Sequence, residues 1–119
     1  MSNYKNLNVW ILSMRTVKEI YDLTRLYPRE EKFGLISQTT RAAVSIPANI
    51  AEGLGRNYGK DTIQFLHISR GSAYEVETLL SVALMINIID PEKFNKVNEV
   101  IENNIRVING FINYLETKV

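Results

Sequence analysis

Apolar side chains recur at spacings of three and four residues along four long segments of this chain, separated by short gaps rich in turn-forming residues. That period matches the α-helical turn, so each segment carries one apolar face that the others must cover. The spacing predicts an all-α protein with helices at about residues 6–27, 33–55, 60–87 and 91–116, in one domain spanning residues 1–119. Connections of a few residues oblige sequential helices to run antiparallel, giving an up-down-up-down four-helix bundle.

Each segment has its own pattern. In the first, Val9, Trp10, Met14, Val17, Ile20, Tyr21, Thr24 and Tyr27 fall within about 140° of arc, and Pro28 ends the helix. Arg29 to Gly34 form the first connection. The second segment carries two stripes: Ile36, Thr39, Ala43, Ile46, Ile50 and Leu54 face the core, while Arg41, Ser45, Asn49, Glu52 and Arg56 form a polar ladder opposite. Pro47 lacks an amide hydrogen and crowds the Ala43 carbonyl, so a kink or restart is expected there. On the third, Phe65, Ile68, Ser69, Ser72, Val76, Leu79, Leu80, Ala83 and Ile86 make the expected core face, with Gly71, Ser72 and Ala73 small enough for close approach. Asp90-Pro91-Glu92 reads as N-cap, first-turn proline and first-turn acid. The fourth stripe is Phe94, Val97, Ile101, Ile105, Ile108, Phe111, Ile112 and Leu115. Ile11, Leu12, Leu23, Val82 and Met85 lie off these faces, which predicts a surface that associates with copies of the chain.

Few catalytic groups are available. The chain has no cysteine, which removes disulfides, thiolate metal sites and cysteine nucleophiles, and it has one histidine, His67. A single histidine cannot complete a bundle di-iron site or serve a recognisable serine nucleophile. The glycine-rich run from Gly53 to Asp61 fails the phosphate-loop register, because a Walker loop needs glycine where Leu54 stands and a hydroxyl where Asp61 stands. A helix-to-helix turn that uses glycine's positive φ explains it better. The sequence thus predicts no enzyme, no catalytic residue, no metal and no cofactor. The run Val9 to Leu12 is too short for a signal peptide or membrane span, so a soluble cytoplasmic protein with no membrane partner is expected.

The polar ladder has two readings. In a structural one, Ser45 and Asn49 bond the backbone groups freed by Pro47, and Glu52 holds Arg41 or Arg70 across helices. In a binding one, Arg41, Arg56, Lys60 and Arg70 contact phosphates of RNA or DNA and Tyr58 stacks on a base. Charge is unevenly spread: ten Lys/Arg against six Asp/Glu in residues 1–70 leave +4, and four against seven in the remainder leave −3. The isoelectric point near 7.9 is nonetheless modest for a nucleic-acid binder.

The run Arg41-Ala42-Ala43-Val44-Ser45-Ile46-Pro47-Ala48-Asn49-Ile50-Ala51-Glu52-Gly53, with Gly55-Arg56, Phe65-Leu66, Gly71-Ser72 and Glu75 following, resembles a known family. It is similar to the four-helix bundle proteins first noted as products of intervening sequences in bacterial 23S ribosomal RNA genes. The resemblance implies a left-turning bundle that assembles into a ring, typically a homopentamer. Similar bundles serve as accessory subunits of diversity-generating retroelements, where a basic pentameric barrel binds nucleic acid and a reverse transcriptase; this chain departs from them in being nearly neutral. No catalytic residue comes with the resemblance. Its motif positions here are Arg41, Ser45, Pro47, Asn49, Glu52, Gly53, Arg56, Gly71, Ser72 and Glu75, which equally serve the packing of the second helix on the third.

Overall fold

The last helix begins at a capping aspartate followed by a proline. In a computed structural model describing residues 3–119, the α-helices are α1 (Asn8–Thr24), α2 (Ser37–Leu54), α3 (Lys60–Met85) and α4 (Pro91–Glu116), with no strand among the described residues. At α4 the Asp90 carboxylate accepts the Lys93 amide at 2.8 Å, the N-cap bond that the sequence predicts. The connection after α1 is more helical than expected. Arg29–Glu31 form a 3-10 turn and Lys32–Ile36 a π-helical turn that runs directly into α2, with Glu31 accepting the Leu35 amide at 3.3 Å.

At Pro47 one of the two expected outcomes, a restart, is excluded, and the expectation of a positive-φ glycine in the turn is corrected. The helix does not restart at Pro47: it runs unbroken from Ser37 to Leu54, with the proline ring buried. Nor does a glycine supply the positive φ of the turn into α3. Tyr58 adopts it, at 57°, and Asn87 does so after α3, at 63°; no described glycine has positive φ.

Paired residues advance in opposite senses on α2 and α3, and on α1 and α4. Stepping forward along α2 from Ser45 through Ile46 to Gly53, the hydrogen-bonding partners step backward along α3 from Ser72 through Ser69 to Thr62. Likewise Ser13 of α1 meets Asn104 of α4, while Leu23, later in α1, shares a cleft with the earlier Val97. A 26-residue helix is roughly 39 Å long, which fits the 45 Å long axis of the molecule. Ile20, Ile46, Ile50, Leu54, Leu66, Leu80, Ile101 and Ile108 are fully enclosed between the helices.

The buried faces of α2 and α4 follow their apolar stripes, but those of α1 and α3 do not. In α1 the enclosed residues are Val9, Ser13, Thr16, Ile20, Leu23 and Thr24, whereas Met14 and Tyr21 are exposed. In α3 they are Thr62, Ile63, Leu66, Ser69, Ala73, Val76, Leu80 and Ala83, while Ile68 and Ile86 are exposed. Both faces are rotated by roughly 60° from the apolar arcs, at 100° per residue. Buried hydroxyls make this affordable, because each donates to a backbone carbonyl: Ser13 to Val9 at 2.7 Å, Thr16 to Leu12 at 3.2 Å, Thr62 to Gly53 at 2.7 Å and Ser69 to Ile46 at 2.8 Å. Leu23, expected outside the core, is therefore inside it. No helix among the described residues is long and apolar enough to cross a membrane.

Candidate functional site

A glycine stands where α2 and α3 come close. A Cβ on Gly53 would lie 2.8 Å from Phe65 Cβ and 3.2 Å from the Thr62 carbonyl oxygen, so α2 and α3 approach as closely as they do because this position has no side chain. The close approach expected at Gly71 is absent: an added Cβ there meets nothing within 4 Å. Ala73, on the same helix, is fully buried.

Above this contact, the middle of the polar ladder closes onto α3. Asn49 Nδ2 donates to both the carbonyl and the hydroxyl of Ser45, at 2.8 and 2.9 Å, and the Ser72 hydroxyl donates to Ser45 Oγ at 3.0 Å. The carbonyl freed by Pro47 belongs to Ala43, so the expected rescue of that group by Ser45 and Asn49 is replaced by a bond to the carbonyl two residues on, that of Ser45. Accepting twice, the Ser45 hydroxyl keeps its own proton for a further acceptor. Next to it opens a groove of about 440 Å³ lined by Phe33, Ser37, Gln38, Arg41, Ser45 and Glu75. Arg41 is exposed, with no carboxylate within 4 Å among the described residues. Phe33 is 89% exposed at the rim. The sequence reading placed Phe33 at the start of a helix and missed its role in the groove; the signal was an aromatic residue beside Gly34 in a connection.

Glu52 holds neither Arg41 nor Arg70. It pairs at 2.8 Å with Arg56, just past the end of its own helix, and both side chains are about half exposed, at 55% and 44%. The Arg56 guanidinium lies 4.9 Å from the centre of the Phe65 ring, which fastens the end of α2 to α3 through a cation-π contact. Arg70 turns to the opposite side of α3, donating to Asn109 of α4 at 2.7 Å and to His67 Nδ1 at 2.6 Å. An arginine can only donate, so that imidazole nitrogen is the acceptor. Lys60 lies with Asn57, Gly59 and Asp61 around a small cleft at the end of the molecule, next to the exposed Tyr58.

The structure thus brings together Arg41, Ser45, Asn49, Ser72 and Glu75 on one face, with Gly53 and the Glu52–Arg56 pair further along α2. It does not bring together Arg41, Arg56, Lys60 and Arg70. Arg41 and Arg56 are about 22 Å apart along the helix, Arg56 is neutralised by Glu52, and Arg70 belongs to the α3–α4 side. Among the described residues, no three His, Asp or Glu side chains are grouped so as to hold a metal ion.

The chain is similar to solved and classified proteins over most of its length. A crystal structure of a protein with unknown function from the S23 ribosomal protein family of Bacteroides thetaiotaomicron VPI-5482, at 1.70 Å resolution, superposes with a TM-score of 0.80. It shares 26% identity and covers 87% of this chain and 97% of its own. A search of curated proteins finds no match. The sequence profile described as 23S rRNA-intervening sequence protein matches residues 5–110. With the polar face, α1 to α3 and most of α4 inside that match, the chain belongs to the 23S rRNA-intervening sequence protein family.

Proposed function

We propose that this protein is a non-enzymatic scaffold: an up-down-up-down bundle that joins copies of itself into a ring, as the family resemblance implies for a homopentamer, and acts in the cytoplasm by docking protein partners on that assembly. The observation that carries this reading is apolar surface on the solvent side of α3. Ile68, Met85 and Ile86 are 44%, 72% and 49% exposed, Val82 is half-buried among them, and all fall within about 120° of the helix circumference. Exposed apolar side chains gathered at Val82, Met85 and Ile86, at the end of α3, are stabilised by being covered. The polar groove between α2 and α3 borders it and supplies directional hydrogen bonds. Light scattering on the wild type and on the Val82→Glu, Met85→Glu double variant tests the reading. The wild type should be an oligomer and the variant a single chain; an unchanged assembly would remove these residues from the interface.

A second reading, an accessory factor that binds RNA or DNA beside a partner such as a reverse transcriptase, is favoured by the unpaired Arg41 and the +4 balance of residues 1–70. A ring would repeat that charge and multiply avidity. Mobility-shift assays at low salt separate the two, since phosphate contacts weaken steeply as salt rises. No retardation at protein concentrations of tens of micromolar ends the nucleic-acid reading.

A further inference from the structure

Where the end of α1 meets the start of α2 lies a cleft of about 390 Å³, on the far side of α2 from the polar groove. It is lined by Tyr21, Arg25, Tyr27, Arg29 and Lys32, and by no aspartate or glutamate among the described residues. Of the acids nearest in sequence, Asp22 lies 2.9 Å from Lys18 and 3.7 Å from Arg25, Glu31 caps the Leu35 amide, and Glu30 is exposed beside Arg29 without lining the cleft. Three cations on one concavity repel one another and are stabilised by an anion between them. At the end of α1 the carbonyls of Tyr21, Leu23 and Thr24, which would oppose an anion, already accept from the amides of Arg25, Leu26 and Tyr27.

Tyr27 supplies an independent sign. Its side chain is only 6% exposed, and its hydroxyl is enclosed without a hydrogen-bond partner. Of the buried side-chain atoms left unmatched among the described residues it is the one donor, the others being the amide oxygens of Asn98 and Asn104. A buried donor without an acceptor is destabilising. Burial pushes the phenol up to about 12, so it keeps its proton at neutral pH. The wall opposite is the π-helical turn Lys32–Ile36, a rare conformation that recurs at functional sites. Tyr21 offers a partly exposed ring face at the mouth, and Lys32 lines the same cleft. The volume lies within the range of small-molecule clefts.

We infer that this cleft binds a phosphate-bearing nucleotide, its phosphates held by Arg25, Arg29 and Lys32, a phosphoryl oxygen accepting from Tyr27, and its base lying on Tyr21. The inference is independent of the scaffold reading, since it uses a different side of the molecule. Isothermal titration of the full chain with ATP and, separately, with tripolyphosphate in magnesium-free buffer tests it. Both should bind once per chain, ATP more tightly. Arg25→Gln and Arg29→Gln should each weaken both ligands about tenfold, the loss of one charge-assisted contact. Tyr21→Leu should weaken ATP about tenfold and leave tripolyphosphate unchanged. Tyr27→Phe should raise the Tm of the free protein, because it deletes an unmatched hydroxyl, while weakening both ligands about fivefold. Arg41→Gln, in the other groove, should change neither. A 5′-phosphorylated dinucleotide separates a free nucleotide from a strand end: weaker binding than ATP supports the inference, and tighter binding overturns it. Absence of heat with both ligands at low-millimolar concentration, equal affinity for ATP and tripolyphosphate, or arginine variants that bind like the wild type would also overturn it.

Discussion

Asn104 of α4 donates its side-chain amide to the Ser13 hydroxyl of α1 across 2.9 Å, and neither residue is exposed to solvent. Ser13 passes its own proton to the Val9 carbonyl at 2.7 Å, while Asn104 Oδ1 is left without a partner. This short relay lies in an otherwise apolar interface. It fixes how far α1 and α4 can slide past each other, because a slipped register would strand an amide in the core.

Ser13→Ala removes the acceptor and leaves the Asn104 amide buried and unpaired, so it should cost about 1–3 kcal/mol. Adding Asn104→Leu, which keeps the branching of the side chain, should recover most of that loss. Chemical denaturation of the two single variants and the double variant measures the coupling.

The same glycine substitution should have opposite signs at two sites. Gly53→Ala forces a methyl group against Phe65 and the Thr62 carbonyl and should destabilise the fold by about 1–3 kcal/mol. Gly71→Ala fills open space within α3 and should stabilise the isolated bundle by about 0.5–1 kcal/mol. Thermal melts of each variant against the wild type give the comparison.

Glu52→Ala should cost less than about 1 kcal/mol, because its ion pair with Arg56 is solvent-exposed. A buried pair of the kind the sequence suggests would lose about 3–5 kcal/mol. Urea midpoints distinguish the two readily. Phe65→Ala, which removes the ring under Arg56, should cost more than Glu52→Ala does.

Acid should act on the start of α4. The Lys93 amide and then the Lys93 ammonium hold the Asp90 carboxyl below its ordinary value. A lowered folded-state value contributes stability above the unfolded one, near pH 4, and loses it as pH falls through the folded value. The Tm difference between wild type and Asp90→Ala should therefore be largest at neutral pH and shrink below about pH 4. Glu77 works in the opposite sense. Burial, then the charge of Glu102, raises its carboxyl, so its contribution grows more favourable as acid protonates it.

Helix number and helix ends were written locally. Pro28 limits α1, Asp90 and Pro91 start α4, and the spacing of Ile46, Ile50 and Leu54 marks a buried stripe, because caps, prolines and periodicity act within a turn or two of the chain. Which way α1 and α3 roll about their axes was decided only by packing. Ser13, Thr16, Thr62 and Ser69 count as polar in any periodicity, yet each hands its proton to a carbonyl and enters the core as a small side chain. Met14 and Ile68 are displaced outward in exchange. Partner choice was equally a matter of geometry: Glu52 takes the cation four residues on, just past the end of α2, and Arg70 takes an amide on α4. A sequence records what each side chain is able to bond, whereas the competition among nearby partners is settled when the helices meet.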